Sequence, residues 1–318
     1  MKKRSKSIAV IGQGFVGGSL TTVMSERGMR VFAYDNVGKV APGGELPGDI
    51  DSSIDSLASF VSACENIRDF TGVYFVCLPT PMKKSGEADL SIVNSVLKDL
   101  SVIDGKKSRI AVVKSTVPPG STDLWNNKLS SKLSVVFNPE FLTEANALND
   151  MRNQDRIVLG GPRPHINKVR NIFQTAFPDV PIIKTSSTTA EMVKYVTNVH
   201  LASKVALANE FYQICTALDE NGGNVDYDKV IEYATFDKRL GASHWKVPGP
   251  MPADDTGEPA FGFGGSCFVK DLNALMFQAK KLGVDPKVMR GVWDKNLEVR
   301  PQRDWEKLSG RAISKDEK

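Results

Sequence analysis

From Ser7 to about Ser187 the apolar residues come in short runs, and most runs end in glycine, proline or a polar residue. Ser7 to Ile11 is the first. Gly12-Gln13-Gly14-Phe15-Val16-Gly17 follows, then a helix-periodic stretch to about Gly28, then a second run, Arg30 to Tyr34, ending in Asp35. That order predicts strand, glycine turn, helix and strand. Further strands are expected at Val73 to Leu78, Ile110 to Lys114, Leu133 to Phe137, Arg156 to Leu159 and Pro181 to Lys184. Helical stretches lie between them, such as Leu90 to Leu100 and Pro164 to Ala176, while Val37 to Ile50, rich in glycine and proline, reads as loop. The alternation describes an open α/β sheet of Rossmann type, with polar signals at the strand C-termini, where such sheets bind ligands.

After Ser187 the period changes. Thr188 to Glu220 is one long helical pattern, ended by Asn221-Gly222-Gly223-Asn224. Asp226 to Thr235, Cys267 to Leu282 and Asp285 to Leu297 are helical again, and Gly241 to Phe261 reads as loop. The expected organisation is an α/β domain over residues 1–186 and a mostly helical domain over 187–318, with a long connecting helix and a frayed polar tail from Ser309.

The chain has 318 residues, 41% of them hydrophobic and 25% charged, which fits globular domains with sizeable cores. A net charge of +4, scattered along the chain, does not argue for nucleic acid. Lys2, Lys3, Arg4 and Lys6 precede an apolar run too short for a signal peptide, and no run is long enough to span a membrane. Cys64, Cys77, Cys215 and Cys267 are widely spaced, and His165, His200 and His244 show no metal-ligand spacing. The expectation is reduced thiols in a cytoplasm, with neither a disulfide framework nor a metal.

Two segments carry candidate chemistry. The glycine turn, in its strand–helix–strand setting with Asp35 at the right distance, is a dinucleotide fingerprint. Asp35 should accept both ribose hydroxyls and repel a 2′-phosphate, favouring NAD, although the nearby cation Lys39 works against that repulsion. The run Gly262-Phe263-Gly264-Gly265-Ser266-Cys267-Phe268-Val269-Lys270-Asp271 sets a cysteine at a predicted helix start, where the helix dipole and Lys270 favour a thiolate. A cysteine so placed is a candidate nucleophile, and equally a small residue packed at a tight helix start.

Seven separated motifs occur in order: Gly12 to Gly17 with Asp35; Leu78-Pro79-Thr80-Pro81; Ser115-Thr116-Val117-Pro118-Pro119-Gly120; Asn138-Pro139-Glu140-Phe141-Leu142; Lys194 with Asn198; Asn209-Glu210; and the Gly262 to Asp271 run. Together they resemble the UDP-glucose/GDP-mannose dehydrogenase family, from about Ser7 to Leu297, through its first and second domains; a third, nucleotide-binding domain is not seen. The resemblance implies NAD-dependent oxidation of a sugar nucleotide at C6 from alcohol to carboxylate, with UDP-glucose the first choice of substrate. By residue it implies Cys267 as nucleophile, Lys194 and Asn198 as oxyanion partners, Glu140 as the residue that positions water, Asp271 as support for the lysine and the water, and Thr116 at the junction of cofactor and substrate. The cofactor would lie against Gly12, Gln13, Gly14, Phe15, Val16, Gly17, Asp35, Lys39, Pro79, Thr80, Ser115, Thr116, Glu144 and Lys270. The substrate would lie against Glu140, Phe141, Leu142, Lys194, Asn198, Phe261, Gly262, Phe263 and Gly264, with Arg239 reaching a neighbouring subunit's substrate in a homodimer.

The chain departs from the family pattern at Thr143, Ala145 and Val269, and in the long segment Ala242 to Phe261, which is expected to cover part of the substrate site. Two other readings stand beside this one. A β-hydroxyacid-type dehydrogenase would remove two electrons and not need Cys267. A non-catalytic binder would hold NAD or a sugar nucleotide without turnover.

Overall fold

The computed structural model describes residues 6–48, 54–105, 108–252 and 257–315. Two compact units result. One comprises residues 1–80 and 90–194, the other residues 81–89 and 195–318.

The first unit is built on an eight-stranded sheet. In chain order its elements are β1 (Ser7–Ile11), α1 (Phe15–Glu26), β2 (Arg30–Tyr34), β3 (Gly44–Glu45), α2 (Leu57–Asn66), β4 (Phe70–Val76), α3 (Ser91–Val102), β5 (Arg109–Val113), α4 (Ser121–Lys128), β6 (Leu133–Phe137), α5 (Ala147–Arg152), β7 (Ile157–Gly160), α6 (Arg163–Ala176) and β8 (Ile182–Thr185). The strand order is β3-β2-β1-β4-β5-β6-β7-β8. The first six strands in that order run parallel. β7 meets β6 antiparallel through the single pair Phe137 and Gly160, and β8 runs parallel to β7.

Central strands of such a sheet are covered on both faces, which is why they are apolar throughout rather than alternating. Ile8 and Val10 face one core with α1 and α6, through Leu20, Val23, Val169 and Phe173. Ala9 and Ile11 face the other with α2 and α3, through Phe60, Val61, Val93 and Leu97. The order of connection reverses between β1 and β4, so the crevice for a ligand opens at their C-terminal ends.

The helix α7 (Ser187–Glu220) runs from the first unit into the second, the division falling after Lys194. The second unit adds α8 (Tyr227–Ala234), the short hairpin β9 (Gly249–Pro252) and β10 (Pro259–Ala260), α9 (Cys267–Lys281) and α10 (Lys287–Val299). Its main core joins Val199, Ala202 and Ala206 of α7 to Val269, Leu272 and Met276 of α9, Val292 of α10 and Trp305.

The expected frayed tail is a correction. Ala312 and Ser314 are buried, Met82 exchanges backbone hydrogen bonds with Ala312 (2.7 Å) and Ser314 (2.9 Å), and the Ser314 hydroxyl donates to Asp89 at 2.5 Å. Polarity misled because these groups are satisfied by residues far away in sequence. Residues 316–318 of that tail, the basic start Lys2 to Arg4, and Asp254-Asp255 lie outside the described residues. Among the described residues no helix is long and apolar enough to cross a membrane, and no cluster of His, Cys, Asp and Glu has the makings of a metal site.

Candidate active site

The C-terminal ends of five strands collect the first group of candidates. After β1 the chain turns at Gly12 with φ +88°, a conformation that favours glycine. A Cβ there would run into the Cys77 carbonyl, and one on Gly17 into the Gly12 carbonyl, so both positions require glycine for close packing. Gly14 is different. It is exposed, and a Cβ there meets nothing within 4 Å, which leaves its backbone open on the side facing solvent at the start of α1. Phe15 and Val16 begin that helix half-buried, and Gln13 is buried with its amide oxygen accepting the Ala41 N–H at 3.2 Å. At the end of β2, Asp35 accepts the N–H groups of Gln13 (2.8 Å) and Val37 (3.0 Å), which fixes its carboxylate beside the glycine turn. Lys39 is exposed. An open glycine next to a held carboxylate fits the diphosphate and ribose of a dinucleotide.

Next along the sheet edge, the loops after β4 and β5 are stitched together. The Ser115 hydroxyl donates to the Leu78 carbonyl at 2.6 Å and accepts the Leu78 N–H at 3.0 Å, and the Thr80 hydroxyl donates to the Thr116 carbonyl at 2.8 Å. Thr116 and Thr80 are buried and Pro79 is exposed. Glu144 is exposed at the start of a single 3-10 turn, Glu144–Asn146.

After β6 comes a buried charge pair. Lys194 of α7 places Nζ 2.9 Å from Glu140 Oε1, with 3% and 7% of the two residues exposed. The other Glu140 oxygen accepts the Leu142 N–H at 2.8 Å. Burial pushes the Glu140 carboxyl up, but Lys194, the Leu142 N–H and Lys114 together hold it below its ordinary value. Lys194 also lies 5.8 Å from the centre of the Phe141 ring, whose face Arg156 approaches at 4.1 Å. Sequence reasoning gave Lys114 no role. It is buried, donates to Asn138 Oδ1 at 2.8 Å, and is pushed down by burial and by the cation Lys194, against Cys77 and Glu140.

In the second unit, Cys267 is the first residue of α9 and is half-buried, with Ser266 Oγ 3.8 Å from its sulfur. Asp271, one turn later and fully buried, accepts Asn198 Nδ2 at 2.6 Å and Lys270 Nζ at 2.5 Å. Lys194 and Asn198, one turn apart on α7, are thus both buried and both bound to a carboxylate, so neither belongs to a solvated face. Cys64 and Cys215 are buried, whereas Cys77 and Cys267 are both half-buried, and desolvation pushes the Cys77 thiol up to about 12, away from the thiolate.

The glycine run ahead of Cys267 is held by Asn209, which the sequence motifs include without a role, and by Asn296 and Asp304, which sequence reasoning missed. Asn209 accepts the Gly262 N–H (3.1 Å), Asn296 that of Phe263 (2.7 Å) and Asp304 that of Gly265 (3.0 Å). The N–H groups of Gly262 and Phe263, two of the residues expected to lie against the substrate, are therefore engaged within the protein. The i,i+4 spacing of Asn296 on α10 and Arg300 at its C-cap was the available signal, and it looks like any solvated helix face. Phe261, 40% exposed, packs on Tyr212 with ring centres 5.6 Å apart. Arg239 is exposed and paired with Asp237.

Comparison with known proteins identifies the family to which the two matched segments are similar. Residues 52–177 match the NAD binding domain of the UDP-glucose/GDP-mannose dehydrogenase family, and residues 188–298 match its central domain. The chain is 32% identical over 313 residues to UDP-glucose 6-dehydrogenase TuaD of Bacillus subtilis, covering 93% of this chain and 64% of that protein. It is 33% identical over 311 residues to UDP-glucose 6-dehydrogenase of Rickettsia bellii, covering 92% and 67%. A solved UDP-glucose dehydrogenase from Pyrobaculum islandicum superposes with a TM-score of 0.71 at 25% identity, covering 98% of this chain and 82% of that one. The chain thus spans about two thirds of the length of its curated relatives, 64% for TuaD. With matches to both domains and identity above 30% over nearly its whole length, the chain belongs to the UDP-glucose/GDP-mannose dehydrogenase family.

Proposed function

We propose that the protein is a cytoplasmic, NAD-dependent sugar-nucleotide 6-dehydrogenase, with UDP-glucose as the preferred substrate. The observation that carries the reading is the pair of buried, carboxylate-bound donors on α7, Lys194 with Glu140 and Asn198 with Asp271, in a chain that also starts α9 with an accessible cysteine. NAD, when bound, supplies the hydride acceptor for both oxidations. The open backbone at Gly14 and the carboxylate of Asp35 would hold it.

The chain's own residues do the remainder. As the C6 hydroxyl gives up its proton to water, Lys194 and Asn198 stabilise the negative charge on that oxygen, and the charge collapses into the aldehyde C=O bond as hydride leaves C6. Cys267 sulfur adds to the resulting aldehyde carbon, and the carbonyl oxygen becomes the hydroxyl of a thiohemiacetal. Loss of the second hydride and of the hydroxyl proton gives a thioester. A water positioned by Glu140 and Asp271 adds to that carbon, and the C–S bond breaks to return the thiol and release the carboxylate. Two NAD are reduced per sugar.

A homodimer is part of this reading. The second half of α7 presents Leu207, Phe211, Ile214 and Leu218 at 43–50% exposure, on a stripe of helical spacing, and α8 adds Tyr233 at 61%. A patch of this kind marks an association surface, and a second copy related by a two-fold axis would cover it.

Incubation with NAD and a panel of UDP-glucose, UDP-N-acetylmannosamine and GDP-mannose tests the activity. NADH formation with UDP-glucose at the highest kcat/KM supports the reading. NAD binding without NADH from any of the three would favour a non-catalytic binder.

A further inference from the structure

The end of α10 and the turn after it grip the glycine run with two ionised side chains that have no part in the chemistry above. Arg300 is fully buried. Its guanidinium donates to Asp304 Oδ1 at 2.6 Å and to the carbonyls of Pro252 (2.7 Å), Phe261 (3.0 Å) and Met251 (3.3 Å). It therefore ties β9 to the residue that follows β10 through a planar fork that lysine does not possess. The second oxygen of Asp304 accepts the Gly265 N–H at 3.0 Å, two residues before Cys267. A Cβ on Gly264 would run into Arg300 and Asp304, so the glycine there lets these side chains lie against the backbone. Asn296 completes the grip, accepting the Phe263 N–H and donating to the Phe263 carbonyl at 3.0 Å.

A backbone that enters a helix through three glycines in the four residues Gly262 to Gly265 has many conformations available, and a thiol at the first helical position inherits that freedom. Charge-assisted bonds to that backbone remove it. We propose that Arg300 and Asp304 are a positioning pair. Together they set the path of Phe261 to Gly265 and so the presentation of the Cys267 thiol. The proposal rests on the reading of Cys267 as nucleophile.

The test is the second-order rate of Cys267 alkylation by iodoacetamide, without substrate or NAD, with the modified residue identified by peptide mass spectrometry. Asp304→Ala and Arg300→Lys are compared with wild type and with Val292→Ala, which weakens the same helical core, to which Phe263 also belongs, without removing any of the polar side chains that grip the glycine run. The account expects a change of threefold or more in both pair variants, in either direction, and less than threefold in Val292→Ala. A smaller change in the pair variants overturns it, and so does an equal change in Val292→Ala, since loosening the core would then be sufficient. Should Asp304→Ala not fold, Asp304→Asn is read by the same criterion. Alkylation needs no turnover. A chain in which Cys267 proves dispensable for NADH formation would still report on the pair, so the two ideas fail separately.

Discussion

Lys194 and Glu140 form a buried ion pair at 2.9 Å, joining α7 to the strand end after β6 within the first unit. Breaking such a pair by removing one partner costs about 3–5 kcal/mol, because the other charge stays buried without compensation. Lys194→Met is expected to lose that much at pH 7. The folded-state value of Glu140 lies below its ordinary one of 4.5, so the stabilisation is complete above about pH 4.5 and disappears as pH falls through the folded value. The deficit of Lys194→Met should therefore shrink at low pH, where Glu140 is neutral in both states. Urea unfolding at pH 7 and below pH 4 measures this. An equal deficit at both would show that the charge pair is not its source.

Gly17 and Gly14 separate packing from binding. Gly17→Ala puts a methyl into the Gly12 carbonyl and should cost about 1–3 kcal/mol or more, lowering the melting temperature. Gly14→Ala meets no neighbour and should leave the melting temperature nearly unchanged. Its methyl would stand where the diphosphate of NAD approaches, and binding should weaken about tenfold or more, about 1.4 kcal/mol. Calorimetric titration with NAD decides. Unchanged affinity in Gly14→Ala would place the dinucleotide elsewhere.

Arg109 anchors the opposite end of β5. It is 1% exposed, pairs with Glu65 at 2.6 Å and donates to the carbonyls of Leu100 and Ile103. Arg109→Met should destabilise by about 3–5 kcal/mol, and adding Glu65→Leu should recover part of the loss by removing the orphaned charge. Chemical denaturation of both variants tests this. A double variant less stable than the single one would contradict it.

The apolar stripe on α7 predicts a specific assembly defect. Ile214→Glu, at 50% exposure, should leave the fold intact and convert a dimer to monomer in sedimentation velocity. A monomer in wild type at micromolar concentration would remove the basis for the dimer.

Much of the first unit was legible in the sequence because its signals are local. The apolar runs of β1 and β2, the glycine turn and the polar strand ends each declare themselves within about ten residues, and α9 begins at Cys267 as its glycine run predicts. What was not legible depends on partners distant in sequence. Nothing in the sequence around Arg300 indicates that it is fully buried on backbone carbonyls some 40 to 50 residues away. The described part of the tail, residues 309–315, is polar in composition yet packed, because Ile313 pairs with Met82 in strand-like fashion. The antiparallel step from β6 to β7 rests on one residue pair, too little for a pattern to record. Lys114 reads as a strand terminus, whereas in the fold it lies beneath Asn138.

The central claim is the four-electron route through Cys267. Its most direct test is the NADH formed per UDP-glucose consumed at completion, with Cys267→Ala measured beside wild type. The account predicts two NADH per sugar in wild type and no carboxylate product in the variant. One NADH per sugar, the same with and without Cys267, would contradict it and identify simple alcohol oxidation.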